Sequence, residues 1–466
     1  MALAKDKKDI FDFQEWLNQR KQTTKFFYFQ SLTLGMEYAL TMMTLYLYLT
    51  DILKIKDVDA FYTAISTIYI MSQISFSIFG HLFDQYRNLK TMLFIGNVLV
   101  VIGNIFYTIP WSPWCLFFGR LVFGGGGFLR VIMTSELTRS YPEEELLPHF
   151  TIMGMSFALG FILGPVVNFA FVKADFSFFG IRNEYANGAS LVLALVFILV
   201  QVIATFTVSN LSKEYDLKEK RMRSANVQSE QPLLFKITED IPLSDGEETQ
   251  KGRTKKNLSI FKTMKHLLKS LDAVLILFFS MLLMHCMTVY DLWEPMACVK
   301  FQKWGIFEIN VLNLGYGVMA AIISVILVRK TPSNDSLVYL AMICMFCLTF
   351  CQMVYIIFKL LRPDNTTSIV LWVMYTFCFS ISVLMEEVLL INAMACLAPS
   401  SVQAFCESVR LSASRTGAVL ALSTAAYSFH YLQYICIGYL TISWIIMLLL
   451  LWRKRQFQNP KIIDIA

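Results

Sequence analysis

Ionisable side chains occur inside several long apolar segments of this sequence, where they could bind an ion or carry a proton. The acids are Glu37, Asp291 and Glu386, and the bases are Arg120, Arg130 and Arg415. Charge is costly in hydrocarbon, so these groups are expected to face a water-filled cavity or an opposite charge. Arginines attract an anionic solute, and a carboxylate held away from water can load and release a proton near neutral pH. These residues are therefore the candidate substrate-binding or coupling groups of a pathway for an anion.

The composition places these residues in a lipid bilayer. Of the 466 residues, 56% are hydrophobic and 16% are charged, and the mean hydropathy is +0.55. Soluble proteins carry about 25% charged residues, and here the apolar residues collect in blocks of about 20, the length that crosses a bilayer. We therefore expect a polytopic membrane protein. The net charge of +6 is small and the basic residues cluster in a few loops, which argues against nucleic-acid binding.

About twelve membrane spans are expected, in two sets of six. Spans one to six cover about residues 26–50, 60–82, 91–110, 115–136, 150–172 and 188–209. Spans seven to twelve cover about residues 271–293, 308–329, 337–358, 367–391, 405–427 and 431–452. The domain plan is an N-terminal tail (1–25), an N-terminal six-helix bundle (26–209), a linker (210–268), a C-terminal six-helix bundle (269–452) and a C-terminal tail (453–466). The linker is polar and short of aromatic residues, which predicts disorder.

Basic residues indicate how the chain is oriented. Lysine and arginine concentrate in both tails, in the loop between spans two and three, and in the linker, all on one side of the membrane. The positive-inside rule makes that side cytoplasmic. The opposite side carries the sequence Asn365-Thr-Thr between spans nine and ten, so Asn365 is the predicted glycosylation site.

Glycines and arginines share one apolar stretch, GRLVFGGGGFLRV, at residues 119–131. Gly124 and Gly127 are spaced to lie on one helical face, where small residues let a neighbouring helix approach closely. Arg120 and Arg130 are about 15 Å apart along a helix and nearly a quarter-turn apart around it. They are expected to serve different depths of one pathway.

Two further stretches are candidates for the control of conformation, GHLFDQYRNLK after span two and ALGFILGPV in span five. Together with the glycine run they supply the candidate conformational residues Gly80, Asp84, Arg87, Gly124, Gly160, Gly164 and Pro165. The acid after span two can pair with a helix end or with an arginine of a neighbour, and such a pair could hold one conformation. The glycines of span five form a small-residue face before a helix breaker. An ordinary charged turn and a generic packing face remain as the simpler interpretations.

Six spans, a long linker and six more spans resemble the layout of the major facilitator superfamily. The stretch after span two is similar to that superfamily's loop motif, although Gln85 stands where an arginine is usual. Arg120 followed by Gly124 is similar to its fourth-helix motif, and ALGFILGPV to its fifth-helix motif. The resemblance implies an all-α membrane protein with about twelve transmembrane helices in two six-helix bundles around a central cavity. It also implies that helices one, four, seven and ten line the cavity, and most of the candidate charges lie in those spans.

Within the superfamily, the chain resembles the lysosomal ceroid-lipofuscinosis branch. The similar pieces are residues 158–166, Ile78–Gly80, Tyr86-Arg87, Asp291 and the Asn365 sequon. The resemblance implies a glycoprotein of the endolysosomal membrane, rather than of the plasma membrane, that is associated with the movement of chloride or other small anions. That branch is sorted by an acid four residues before a Leu-Leu pair, whereas here Glu230 lies three residues before Leu233.

The expected function is a secondary transporter that moves a small solute, an anion, by alternating access, with proton coupling through the carboxylates. An anion channel for chloride on the same fold is one alternative. A non-transporting receptor or scaffold, whose buried charges only neutralise one another, is another. The expected partners are the small-molecule or ion substrate and the lipid bilayer, with no nucleic acid and a monomeric chain.

Enzyme chemistry has little support in the sequence. No nucleotide-binding loop, metal-ligand spacing or nucleophile–base pair is recognisable. Cys344, Cys347 and Cys351 share one helical face and are interpreted as apolar packing residues. We therefore expect no catalytic residues, no metal site and no cofactor.

Overall fold

Helices account for nearly all of the described length of the protein. The computed structural model describes residues 2–171, 176–178, 181–183, 187–215, 260–304, 306–329, 334–399 and 401–452. Most of the predicted linker, with its Leu-Leu pair, and the predicted C-terminal tail lie outside these ranges. Within them the chain is helical except for short turns and one small hairpin, so the expected all-α class is confirmed.

The first six predicted spans are all helices. Span one is Ala2–Leu47, span two is Val58–Ser75 with Ile78–Tyr86, and span three is Leu89–Thr108. Span four is Pro113–Gly124 with Phe128–Ser140, span five is Glu143–Phe171, and span six is Gly188–Thr207. Two short antiparallel strands, Phe176–Phe178 and Ile181–Asn183, pair between spans five and six.

The second six spans follow a short helix, Ile260–Lys269. Their bounds are Leu271–Ala297, Ile306–Arg329, Asn334–Leu361, Asn365–Leu397, Gln403–His430 and Leu432–Trp452, for spans seven to twelve in order. Among the described residues, seven helical segments are long and apolar enough to cross a membrane, and they lie in spans two to seven and span nine. Shorter apolar segments lie in spans eight, ten and twelve.

Span one extends beyond the membrane segment predicted for it. The sequence predicts an apolar segment from about residue 26, but the helix begins at Ala2. Trp16 holds the extension, since its indole Nε1 donates to the Leu211 carbonyl at 3.2 Å. Arg20 also holds it, because its guanidinium carbon lies 4.2 Å from the centre of the Tyr141 ring. The part of the extension that carries Trp16 and Arg20 is therefore packed against the end of span four and the segment after span six.

Glycines allow helix axes to approach closely in both halves. In the first half, a Cβ added to Gly160 would overlap the carbonyl oxygen of Leu32, which places spans five and one in backbone contact. Gly164 contacts span one in the same way. In the second half, a Cβ on Gly417 would overlap the carbonyl oxygen of Met281, so spans eleven and seven are packed alike. Small residues are the usual means of joining helices in lipid, where no hydrophobic force draws them together.

The ends of spans one and seven repeat the same backbone irregularity. Each helix closes with a π-helical turn, Tyr48–Ile52 in the first half and Cys298–Gln302 in the second. Each turn is followed by a lysine with positive φ, 50° at Lys54 and 58° at Lys303. The same irregularity at matching positions supports two parallel repeats, the arrangement implied by the resemblance.

Replacing the contact glycines should destabilise the protein. We expect Gly160→Ala and Gly417→Ala each to lower the stability by about 1–3 kcal/mol, because the new methyl group meets a backbone carbonyl that cannot rotate away. The measurement is the midpoint of thermal unfolding of the purified protein in detergent. Gly438→Ala in span twelve is the matched control, since nothing lies within 4 Å of a Cβ added there. Equal midpoints for all three variants would contradict the packing.

Candidate functional site

A buried ion pair joins spans one and four. Glu37 Oε1 lies 3.6 Å from Arg120 Nη1, and the two side chains are 1% and 2% exposed. The Thr41 hydroxyl, one turn after Glu37, lies 2.7 Å from the Glu37 backbone carbonyl oxygen and 3.2 Å from the same carboxylate oxygen, and it can donate to either. The two charges lie in different helices and are each other's partner, which offsets part of the cost of removing them from water.

The polar atoms of this pair are only partly satisfied. Within the described part of the chain, Glu37 Oε2 and both terminal nitrogens of Arg120 have no hydrogen-bond partner. The guanidinium is instead surrounded by aromatic rings, since the ring centres of Tyr107, Tyr69 and Phe123 lie 5.2, 5.3 and 5.7 Å from its central carbon. Aromatic faces stabilise a cation without using its hydrogens. The N–H groups of Arg120 can therefore donate to an anion.

Glycines of span four bring it against span two. A Cβ on Gly124 would lie 2.5 Å from the carbonyl oxygen of Tyr69, and a Cβ on Gly127 would lie 2.8 Å from the Gln73 side chain. The two glycines therefore face the same neighbouring helix, and a larger residue at either position would push that helix away. This close approach sets the Tyr69 ring beside Arg120.

Span four changes its helical winding at the glycine run. Residues Gly125–Gly127 form a 3-10 turn, and the N–H of Gly125 points to the carbonyls of Val122 and Phe123. The Leu121 carbonyl accepts a hydrogen bond from the hydroxyl of Ser72 in span two instead. A break in a membrane helix is tolerated when a neighbour satisfies the released backbone group in this way.

Arg415, in the second half of the chain, contributes a third charge near the pair of Glu37 and Arg120. Span eleven packs against span two, and the Tyr69 hydroxyl lies within electrostatic range of Glu37, Arg120 and Arg415. Arg415 is partly exposed, and its Nε has no hydrogen-bond partner among the described residues. We call Glu37, Arg120, Arg415 and Tyr69 the central cluster. It holds two positive charges and one negative charge, contributed by both halves.

The remaining candidate pathway residues lie outside this cluster or are not described. Arg130 is half-buried in the second segment of span four, and its guanidinium carbon lies 5.9 Å from the centre of the Phe157 ring of span five. The side chains of Asp291 in span seven and Glu386 in span ten lie outside the described part of the structure, as does the ring of Pro165. Their roles remain predictions.

Asp84 ties the two halves together at the basic end of the molecule, where the loop between spans two and three and the start of the linker lie. Its carboxylate accepts hydrogen bonds from the backbone N–H groups of Ala404 at 3.1 Å and Phe405 at 2.7 Å, at the start of span eleven. It also forms an ion pair with Arg139 of span four. A carboxylate is favoured at a helix N-terminus by the unpaired N–H groups and the helix dipole. We call this arrangement the latch.

Gly80 and Arg87 flank the latch. A Cβ on Gly80 would overlap the Ser408 side chain and crowd the carbonyl of Ala404, so this glycine lets spans two and eleven touch. Arg87 ends span two in a left-handed conformation with a φ of 47°. Asp84, between them, has both kinds of partner considered from the sequence, a helix end and an arginine.

Two further contacts of buried charged residues lie at the basic end, outside the candidate site residues predicted from the sequence. Glu136 of span four accepts hydrogen bonds from the backbone N–H of Ser212 at 2.8 Å and from its hydroxyl at 2.9 Å, which anchors the segment after span six. Glu407 and Arg410 form a two-point ion pair at 2.7 and 2.8 Å and are both buried. Their spacing was the available signal, because opposite charges three residues apart face each other on a helix.

Comparisons with known proteins agree with this architecture. The Major Facilitator Superfamily model matches residues 27–429. Over 117 residues, the chain is 36% identical to an uncharacterized transporter of Buchnera aphidicola, and this match covers 24% of the chain and 29% of that protein. A solved proton:xylose symporter of the superfamily, bound to 6-bromo-6-deoxy-D-glucose, has a TM-score of 0.67 at 10% identity over 92% of this chain and 95% of its own. A POT family transporter in complex with a thioalcohol-conjugated peptide has a TM-score of 0.57 at 15% identity over 94% and 96%. At these identities the two structures show the fold alone.

Removing the charge of Asp84 should loosen the latch. In Asp84→Asn, the N–H groups of Ala404 and Phe405 lose an ionised acceptor, and charge-assisted hydrogen bonds are about twice as strong as neutral ones. We therefore expect hydrogen–deuterium exchange at the start of span eleven to become several-fold faster.

Asp364→Asn is the matched control for this experiment. Asp364 caps span ten by accepting from the Thr367 N–H at 3.3 Å, so it caps a helix without joining the two halves. It should leave exchange at the start of span eleven unchanged. Unchanged exchange there in Asp84→Asn, or an equal change in both variants, would contradict a latch between the halves.

Proposed function

The chain belongs to the major facilitator superfamily and is a multi-pass membrane transporter, and from that premise we propose that its solute is a small anion moved by alternating access. The observation that supports an anion is the central cluster. Arg120 pairs with the one carboxylate, Arg415 adds a second positive charge near Tyr69, and the terminal nitrogens of Arg120 have no hydrogen-bond partner within the described residues. Away from water the effective dielectric constant is low, so an excess positive charge attracts an anion more strongly than it does at a surface.

The geometry of the cluster suits an anion held between the halves. Arginine presents a planar set of N–H donors that fits oxyanions and other small anions. Arg120 belongs to the first half and Arg415 to the second, so an anion that bridged them would contact both halves. The aromatic rings around Arg120 restrict its orientation and exclude water from its faces. Bound solute thus draws the two halves towards one another, as alternating access requires.

Proton coupling is expected because the partner of Arg120 is Glu37, a carboxylate that can take up a proton. While Glu37 is ionised, it competes with a solute anion for the guanidinium. A proton on Glu37 removes that competition, and the Thr41 hydroxyl can remain bonded to the carboxyl group. Loading of a proton and loading of an anion therefore favour each other. Asp291 and Glu386 are further candidate proton carriers in this scheme, and Arg130 is a candidate anion contact at another depth of span four.

The latch supplies the second element of alternating access. With Asp84 bound to the start of span eleven, the halves are joined at the basic end, so solute reaches the central cluster from the opposite side. Breaking these contacts would open the basic end. The residues proposed to shape the moving surfaces are Gly80, Asp84, Arg87, Gly124, Gly160, Gly164 and Pro165.

We also propose that the protein resides in the endolysosomal membrane. The resemblance to the lysosomal ceroid-lipofuscinosis branch supports an endolysosomal membrane, whose acidic lumen would supply protons. The latch then lies on the cytoplasmic side, in agreement with the basic loops. Asn365 is exposed as the first residue of span ten, on the opposite side by the order of the spans, where a luminal glycan would be attached.

Removing either cluster arginine should greatly reduce anion uptake. The measurement is uptake into proteoliposomes, screened with chloride, phosphate, sulfate and small carboxylates. We expect Arg120→Ala and Arg415→Ala each to lower uptake by about tenfold or more, because a hydrogen bond to a charged group contributes roughly 1.5–3 kcal/mol. Arg329→Ala is the matched control, since Arg329 is exposed at the end of span eight. Unchanged uptake in both cluster variants would reject the anion role. Uptake that fails to saturate would favour a channel on the same fold.

Replacing Glu37 should separate anion movement from proton movement. Wild-type uptake should rise as the pH on the entry side falls, because the protonated carboxyl group releases Arg120. Glutamine resembles that protonated form, so Glu37→Gln should still exchange anions but lose the response to a pH gradient. Glu145→Gln, at an exposed position in span five, should keep the wild-type response. A Glu37→Gln protein with unaltered pH dependence would rule out this carrier.

A further inference from the structure

A surface cavity of about 240 Å³ lies between spans three and six at the basic end. Its lining includes the apolar residues Leu93, Phe94 and Val208. Large apolar side chains of the same two spans are exposed, 53% for Phe94 and 83% for Phe206, and in a membrane acyl chains cover them. The cavity is smaller than the roughly 300–1,000 Å³ of a typical small-molecule pocket. It therefore suits one end of a long lipid better than a whole soluble molecule.

The same cavity is also lined by polar residues and by one positive charge. Lys90 is exposed in the first turn of span three beside Thr91, and Thr205 of span six also lines the cavity. The ion pairs found within the described residues do not include Lys90. Its backbone N–H is already used, since it donates to Asn210 Oδ1 at 3.1 Å. The charge offered to a ligand is therefore the side-chain ammonium rather than the helix end.

We propose that this cavity binds an anionic phospholipid of the cytoplasmic leaflet. The phosphate group lies against Lys90 and Thr91, and the start of one acyl chain lies along Leu93, Phe94 and Val208. Charge complementarity selects this occupant, because a juxtamembrane lysine attracts anionic lipids and a neutral apolar ligand would leave the ammonium without a partner. The site is independent of the anion pathway, since it faces lipid and shares no residue with the central cluster.

The lipid site is also connected by hydrogen bonds to the start of the linker. Asn210, which accepts from the Lys90 backbone, lies just before Ser212, and Ser212 is held by Glu136 of span four. The cavity wall is therefore connected through two hydrogen bonds to the span that also carries the latch arginine. A lipid on Lys90 thus stabilises the basic end of the first half.

Lipid retention by the purified full-length chain tests the proposal. Native mass spectrometry compares the retention of phosphatidylglycerol and phosphatidylcholine from mixed micelles. We expect wild type to prefer phosphatidylglycerol, Lys90→Gln to lose about fivefold of that preference, and Thr205→Phe, which fills the cavity mouth, to retain little of either lipid. The matched controls are Lys265→Gln, an exposed lysine of the second half, and Val202→Phe, a lipid-facing position of span six outside the cavity. Both should behave as wild type.

Each of the following results would contradict the proposal. Equal retention of the two lipids, or an unchanged preference in Lys90→Gln, would show that Lys90 does not select a phosphate group. Displacement of the lipid by soluble glycerol phosphate at the same concentration would assign the site to a free phosphate compound instead. The unfolding midpoint of each variant in phosphatidylcholine verifies that a loss of binding is not a loss of folding.

Discussion

The free-energy cost of burying charge inside a membrane determines how the helices pack around the central cluster. Glu37 and Arg120 lie in different helices and are almost completely buried. Neither is tolerated alone in hydrocarbon, so the packing of the first half must keep them together. The glycine run of span four, the hydroxyl of Ser72 on a released carbonyl and the aromatic rings around the guanidinium all meet that requirement. The same requirement leaves donors unsatisfied, and those donors are what an anion can use.

The central cluster and the latch both involve residues of the two halves, but the chemistry of the two sites is different. At the central cluster, the ion pair lies within the first half, and the second half contributes an additional positive charge from Arg415. At the latch, the carboxylate of Asp84 meets backbone N–H groups of the other half directly. At the first contact the terminal nitrogens of Arg120 have no hydrogen-bond partner among the described residues, whereas at the second the carboxylate of Asp84 accepts from three donors. The halves are therefore in direct polar contact at the basic end, whereas the middle holds polar atoms without partners among the described residues.

Much of the fold was predictable from the sequence, because a bilayer demands about 20 apolar residues for each span. Buried charges were also recognisable, since each is too costly to occur without a partner. Neutralisation of Glu37 by Arg120 could be suggested, but the sequence could not fix that pairing, because nothing local relates the two residues. Tyr69 gave no signal, since an aromatic residue in an apolar segment resembles any packing residue. Ala404 and Phe405 act through backbone N–H groups, which every sequence supplies equally, so their role needed the tertiary structure.

Spans two and four are interrupted side by side. The 3-10 turn Gly125–Gly127 faces the ring of Phe76, where span two also departs from regular helix. Each helix carries a member of the central cluster before its interruption and a member of the latch after it. Each of the two helices therefore links the central cluster to the latch and is interrupted between them. In the proposed transport cycle, a tilt of either helix caused by solute at the central cluster would displace the latch residue of the same helix directly, without a relay of side chains between the two sites.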